Sequence, residues 1–197
     1  MEYDFDQVIE RRGTDSIKWG VYSDDVIPMW VADMDFRSAE PVIQALRRRI
    51  NHAVFGYSRP TQRLTSALQD RMKQLYQWEV KEQEIFFLPG IVTGLNIAFQ
   101  AFASPGHGIL VQPPVYFHFL RDPVQHGSVL NDPPSVRRHD TYEIDFDQFE
   151  KAITDRTRIF VLCNPHNPVG RVYTRSELGK IADICLRHLI LLGHYLL

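Results

Sequence analysis

Residues 158–170 read Arg158-Ile159-Phe160-Val161-Leu162-Cys163-Asn164-Pro165-His166-Asn167-Pro168-Val169-Gly170, and this stretch decides the fold. The run from Ile159 to Cys163 is continuously apolar and partly β-branched, which predicts a strand buried on both faces. It breaks into a segment from Asn164 to Gly170 holding two prolines and a glycine, through which neither helix nor sheet continues. A rigid polar loop at the carboxyl end of a buried parallel strand is where open α/β sheets hold their ligands. A proline-rich connection whose Asn side chains bond only their own backbone has the same appearance. The loop alone leaves both readings open.

Working outward, the same strand-then-break pattern recurs upstream. Ile85-Phe86-Phe87-Leu88 reads as a short strand, broken by Pro89-Gly90, and residues 91–103 read as a helix without one charged residue. Ile109-Leu110-Val111-Gln112 reads as the next strand, ended by the stiff turn Pro113-Pro114-Val115-Tyr116. A short helix is expected to end at Pro123, with a strand near Ser128–Asn131. Asp145 is placed to cap a helix carrying Phe146, Phe149 and Ile153. Beyond Gly170, Thr174-Arg175-Ser176-Glu177 is a capping box, and the helix it starts runs to Arg187. Upstream, Ser38 is placed to cap a helix with Glu40 and Pro41 in its first turn and Val42, Ile43, Leu46 and Ile50 on one face. A second helix opens at Pro60 and runs to about Gln77, its buried stripe formed by Leu64, Ala67, Leu68, Met72 and Leu75. The first 35 residues show weak periodicity. Residues 27–36, apolar but punctuated by Asp33 and Asp35, suit an extended arm or an edge strand. Alternating strands and helices predict an α/β fold with a mainly parallel sheet and helices on both faces, preceded by an N-terminal arm and helices.

The bulk properties narrow the functional classes. At 197 residues and 44% hydrophobic content the chain can bury a substantial core. Its 22 basic and 24 acidic residues balance without long runs, so nucleic-acid or membrane-surface binding gains no electrostatic support. Arg47-Arg48-Arg49 reads as the solvated face of a helix. No leader pattern opens the chain, and no apolar stretch approaches bilayer length. Cys163 and Cys185 lack metal-ligand spacing, and the eight histidines form no paired-ligand pattern, so a metal site is not expected. A reduced, cytoplasmic setting is the expectation.

Three turns thus fall at carboxyl strand ends. The one at Gly90 opens a helix whose free N–H groups suit a phosphate. The one at Tyr116 offers an aromatic face, and the one at Asn167 a fixed amide. Together they outline a place for a flat, phosphorylated heteroaromatic ring such as pyridoxal 5′-phosphate (PLP). The sequence resembles the fold-type I PLP enzymes of the class I/II aminotransferase superfamily, and within it the MalY/PatB branch of cystathionine β-lyases. The resemblance is carried by residues 28–36 (Pro-Met-Trp-Val-Ala-Asp-Met-Asp-Phe), Phe55-Gly56-Tyr57, Leu88-Pro89-Gly90, Pro113-Pro114-Val115-Tyr116 and the Asn164–Gly170 loop. It implies that Gly90, Ile91, Val92 and Thr93 surround the cofactor phosphate, that Tyr116 stacks on the pyridine ring, and that Asn167 bonds its 3′-oxygen. It implies that Ala32 meets the substrate carboxylate through its backbone. Tyr57 would reach the phosphate of a neighbouring subunit, hence a homodimer. The implied substrate is a small amino acid of the cystathionine type, split into a thiol, pyruvate and ammonia. An aminotransferase shares every one of these motifs.

The sequence also departs from that family. The chemistry requires a Schiff-base lysine, a carboxylate at the pyridine nitrogen and an arginine for the substrate carboxylate, all beyond the Asn-Pro loop. The five lysines, Lys18, Lys73, Lys81, Lys151 and Lys180, all lie outside the family's lysine context, so no catalytic residue is assigned. Where the resemblance predicts an apolar strand ending in a Ser/Asp-Glu segment, the chain reads Leu189-Ile190-Leu191-Leu192-Gly193-His194-Tyr195-Leu196-Leu197, with no carboxylate. The expectation is a truncated, N-terminal part of such an enzyme, inactive alone, in three pieces. Residues 1–58 are the arm and first helix, 59–188 a partial PLP-binding domain, and 189–197 an aberrant tail whose leucines lack partners. A non-catalytic fragment keeping part of the cofactor pocket is the alternative reading.

Overall fold

The computed structural model describes residues 3–195. The chain divides into two compact units, residues 1–61 and 62–197.

The first unit holds α1 (Ile17–Gly20) and α2 (Glu40–His52). Residues 27–36 join no sheet. Their two aspartates are instead the anchor of the arm. The buried Lys18 ammonium donates to Asp35 Oδ2 at 2.7 Å and to the Asp33 carbonyl at 2.9 Å. Arg11 bridges Asp33 and Asp35, each at 2.7 Å, and the Trp19 indole N–H donates to Asp35 at 2.8 Å. Lys18 foremost, then Trp19, hold the Asp35 carboxyl well below the usual carboxylate range. Ser38 does not cap α2. The N-cap is Ala39, with no side-chain bond, and Pro41 near the start supplies helical φ in its place. The apolar face of α2 is present but open, with Val42, Leu46 and Ile50 each more than half exposed.

The second unit begins with α3 (Gln62–Tyr76), whose stripe is less buried than its periodicity predicts: Leu64 and Leu75 are exposed, and only Thr65 is fully buried. The strand expected at Ile85–Leu88 is absent. A 3-10 turn at Glu82–Glu84 leads into extended backbone at Ile85, but no strand lies alongside, and Phe86, Phe87 and Leu88 are exposed. An apolar run supplies the propensity for a strand; it does not supply the partner.

Then follow α4 (Ile91–Phe102), β1 (Gly108–Leu110), α5 (Phe117–Gln125) and β2 (Val129–Asn131). A hairpin of β3 (Val136–Arg138) and β4 (Thr141–Glu143), not anticipated in the sequence, precedes α6 (Phe146–Lys151). The unit closes with β5 (Thr157–Cys163), α7 (Arg175–Arg187) and β6 (Leu191–Tyr195). The main sheet is wholly parallel, in the order β2-β1-β5-β6. The caps form as expected: Asp145 accepts from the Gln148 N–H at 3.0 Å, and Thr174 and Glu177 close a reciprocal box. Helix α5 passes Pro123 and ends two residues later, because the N–H groups of His126 and Ser128 both turn back to the Pro123 carbonyl at 3.1 and 3.0 Å.

The backbone of the tail is not partnerless, although the side chains of Leu189, Leu191 and Leu192 stay exposed, as the sequence led one to expect. Residues 191–195 extend the sheet along the whole upper part of β5, in the register Ile159↔Leu191 to Cys163↔Tyr195. An apolar run beside an unpaired parallel edge satisfies its backbone by joining it. Leu196 and Leu197 lie outside the described residues.

Strand β5 is covered on both faces. On one, Phe160 and Leu162 pack with Phe149, Ile181, Ile184 and Cys185; on the other, Ile159, Val161 and Cys163 pack with Phe99, Val111, Phe119 and Tyr195. Phe149 meets Phe160 edge-on at 5.0 Å. Phe160→Ala therefore empties a fully enclosed volume and is expected to cost about 3–5 kcal/mol, read as a lowered urea midpoint with an unchanged slope.

Candidate functional site

All four strands of the main sheet run parallel, so their carboxyl ends share one rim. The loop after β1 (residues 111–116) and the loop after β5 (residues 164–170) are neighbours there, because β1 and β5 are paired. Residues 103–107 return the chain from α4 into β1, which sets the N-terminus of α4 toward the same rim. Leu95, one turn into α4, accordingly packs in the cluster that holds Val111, Val115, Tyr116 and Tyr195.

The two loops are joined by His166, a residue whose role the sequence did not disclose. It is buried, at 3% exposure. Its Nε2 lies 2.9 Å from the Pro114 carbonyl, which can only accept, so Nε2 carries the proton. Nδ1 is then the acceptor for the Tyr173 hydroxyl. Burial pushes the His166 pKa below its ordinary value, outweighing the contribution of the Pro114 carbonyl. Burial likewise raises the Tyr173 phenol well above its usual range. Around this pair the loop closes on itself. Asn164 Oδ1 accepts the Tyr173 N–H at 3.1 Å, His166 and Arg171 form an antiparallel bridge, and the Gly170 N–H donates to the His166 carbonyl at 2.7 Å. Gly170, at φ +76°, supplies the left-handed turn this closure requires. Arg171 grips the Glu177 carboxylate at 2.6 and 2.7 Å and donates to the Tyr142 carbonyl, tying the loop to α7 and the hairpin. Asn164 is thus spent on the loop's own backbone. The Asn167 side chain, half-buried, makes no hydrogen bond among the described residues.

The turn before α4 is open. Gly90 adopts φ +139°, a region that side chains avoid, while a Cβ there would meet nothing within 4 Å. The glycine is required by the backbone path, not by crowding. No side chain caps α4, so the N–H groups of Ile91, Val92 and Thr93 face outward at the positive end of the helix dipole. A second buried network, also not read from the sequence, braces this helix. Asp122, 1% exposed, accepts from Asn96 Nδ2 at 2.8 Å, from His118 Nδ1 at 2.9 Å and from Arg121 Nε at 3.2 Å. Asn96 also donates to the Val92 carbonyl at 2.8 Å and meets His126 Nε2 at 2.6 Å. Desolvation raises the Asp122 pKa, but these hydrogen bonds outweigh it and leave the carboxylate ionised below its usual range. An aspartate inside a helix immediately before a proline was the available signal.

Tyr116 is the N-cap residue of α5 and half-buried. Phe117, His118 and Phe119 stand edge-on or tilted to its ring, with centroids at 5.0, 5.0 and 6.0 Å. Tyr195, from the end of β6, lies nearly parallel to it, at 5.9 Å and 21°. The remaining expected site residues, Ala32 and Tyr57, belong to the first unit; both are exposed.

Comparison with known proteins places this geometry in a family. The family model described as aminotransferase class I and II matches residues 24–193. The chain belongs to that family. Cystathionine β-lyase PatB of Bacillus subtilis (strain 168) is 41% identical over 190 residues, covering 93% of this chain and 49% of PatB. Among solved structures, cystalysin from Treponema denticola, which contains a pyridoxal 5′-phosphate cofactor, superposes with a TM-score of 0.91 at 31% identity. The PLP-bound C–S lyase of Staphylococcus hominis superposes at 0.90 with 30% identity; each match covers 98% of this chain and 51% of the solved one. The chain spans about half the length of these aminotransferase-family relatives.

The residues present fit a cofactor of that kind only in part. An anion suits the uncapped start of α4. Tyr116 already has the Tyr195 ring nearly parallel to it, and β6 brings no carboxylate to the rim, its last described residues being Gly193, His194 and Tyr195.

Because His166 is neutral in the fold and readily protonated when unfolded, the unfolded state takes up more protons between the lowered pKa and the ordinary histidine value near 6.5. The stability it contributes is complete above that ordinary value and is lost as pH falls toward the lowered one. His166→Gln is expected to flatten this segment of the stability–pH curve, measured by urea titration at successive pH values.

Proposed function

We propose that this chain derives from a PLP-dependent carbon–sulfur β-lyase of the cystathionine β-lyase type and carries its phosphate-binding and ring-facing elements. The observation that carries the reading is the shared rim: an uncapped helix start at Gly90–Thr93, an aromatic residue at Tyr116 and an unengaged amide at Asn167, in a chain 41% identical to PatB. In this reading the N–H groups of Ile91 and Val92, with Thr93 beside them, hold the phosphate. In the parent enzyme, without this tail, Tyr116 faces the pyridine ring and Asn167 donates to its 3′-oxygen. Ala32 meets the substrate carboxylate, and Tyr57 completes the phosphate site of a second subunit in a homodimer. Residues 1–58 act as the arm and first helix, 59–188 as part of the cofactor domain and 189–197 as a divergent tail. The protein works in the cytoplasm. Among the described residues, no helix is long and apolar enough to cross a membrane.

The whole reaction in this reading is addition of water across cystathionine to give homocysteine, pyruvate and ammonia. PLP, when bound, supplies the electron sink that such an elimination requires. The chain's own residues bind and orient; none supplies the lysine. Lys18 is engaged with Asp35 and Lys73 with Glu79, Lys81 is the N-cap residue of the 3-10 turn at Glu82–Glu84, and Lys180, on α7, lies over the Phe146 ring of α6. Lys151 closes α6, ahead of β5 and so at the opposite end of that strand from the rim.

The test joins residues 1–188 to the remaining C-terminal part of PatB and assays cystathionine. The chimera is expected to release pyruvate and homocysteine, while the 197-residue chain alone releases neither. Amino-group transfer to a keto acid without pyruvate would make the parent activity that of an aminotransferase. A folded chimera that retains no PLP would refute the assigned cofactor contacts.

A further inference from the structure

The stacked pair at the rim bears on what this chain can bind. Tyr195 is 5% exposed and belongs to the cluster of Phe99, Val111, Phe119 and Cys163. Its place is fixed by pairing, not by chance packing. It is the partner of Cys163 in the parallel β5–β6 register, and its carbonyl accepts the Asn164 N–H at 3.2 Å. His194, just before it, reaches the Asn164 carbonyl through Nε2 at 3.0 Å. Paired positions of adjacent strands face the same side of a sheet, so the Tyr195 ring is directed to the side that holds Cys163, Tyr116 and α5. There it meets Phe119 edge-on at 5.3 Å and Tyr116 nearly parallel at 5.9 Å. Both separations lie within the range of favourable aromatic pairs. Among the described residues, Tyr195 is the one ring that approaches Tyr116 in a stacked orientation; Phe117, His118 and Phe119 enclose it edge-on or tilted.

We infer that Tyr195 occupies the stacking place on Tyr116, so that this chain presents an anion site at the start of α4 without a slot for the ring that should accompany the anion. The inference rests on the reading of Tyr116 and α4 given above. The chemistry at this end of β6 points the same way. A pyridinium nitrogen needs an anionic partner, and Tyr195 offers a phenol whose pKa burial and the neighbouring Tyr116 raise, keeping it neutral. Side chain and charge both oppose a pyridine ring, while the amides of Ile91, Val92 and Thr93 are left without a side-chain cap.

Equilibrium dialysis of the 197-residue chain against inorganic phosphate and against pyridoxamine 5′-phosphate separates the two elements. The pyridoxamine form has no aldehyde, so lysine condensation does not contribute. The unaltered chain and Tyr195→Phe are expected to bind both probes with the same affinity, since the ring gains no contact. Tyr195→Ala is expected to bind pyridoxamine phosphate at least about tenfold tighter than the unaltered chain, on the scale of one desolvated aromatic contact. A second change, Tyr116→Ala, is expected to abolish that gain. The inference is overturned if the unaltered chain already binds pyridoxamine phosphate tenfold tighter than phosphate, a measurement that stands even if Tyr195→Ala does not fold. It is overturned equally if a folded Tyr195→Ala gains nothing. Failure of every form to bind inorganic phosphate would instead refute the anion site at α4, leaving the Tyr195 comparison to be read from pyridoxamine phosphate alone.

Discussion

The pairing of β5 with strands on both sides is the constraint from which the rest of the second unit follows. A strand with a neighbour at each edge and a hydrophobic cluster on each face has no polar backbone to spare and one permitted register. That fixes where Cys163 ends, and with it where the Asn-Pro loop begins. The loop is then immobilised from several directions: His166 to the β1 loop, Asn164 to Tyr173, Arg171 to α7 and the hairpin. Asn167 is the residue those bonds leave over. A polar side chain held on a fixed backbone without a partner is what a binding site requires.

Two buried polar networks hold the rim without being part of its surface. His166 with Tyr173 is neutral and joins two loops; Asp122 is ionised and joins α4 to α5 through Asn96. They solve the burial of polar groups in opposite ways. The histidine gives up its charge because burial penalises the imidazolium by more than the Pro114 carbonyl favours it. The aspartate keeps its charge because three donors converge on it. Each network positions an element whose end faces the rim, so the arrangement of Gly90, Tyr116 and Asn167 depends on residues that would never contact a ligand.

The first unit follows a different logic. Its order comes from charge pairing along an otherwise extended arm, with Lys18 and Arg11 converging on Asp33 and Asp35. Exposed ion pairs of this kind contribute little each, but Lys18 is buried and its bonds with Asp35 and the Asp33 carbonyl must all be kept for the burial to be tolerated. On α2 the apolar residues Val42, Leu46 and Ile50 remain in solvent. Periodicity placed them on one face; it did not provide anything for the face to meet.

What the amino-acid order determined by itself was local. The two caps, the breaks at Pro89-Gly90, Pro113-Pro114 and Asn164–Gly170, and the doubly buried strand are all decided by backbone chemistry within a few residues, and all were legible. Resemblance to the class I/II aminotransferases supplied the roles that local chemistry could not. Partnership was not legible. Ile85–Leu88 has strand composition and no strand beside it, whereas the backbone of residues 191–195 forms a full ladder along β5 while Leu191 and Leu192 stay exposed. His166 and Asp122 read as unremarkable polar residues until distant carbonyls and amides closed around them. Tyr195 could be counted as a missing carboxylate, but only the parallel register of β6 on β5 brings its ring against Tyr116. Hydrogen-bond ladders and ring contacts join residues far apart in the chain, and their outcome is set by which surfaces meet in three dimensions.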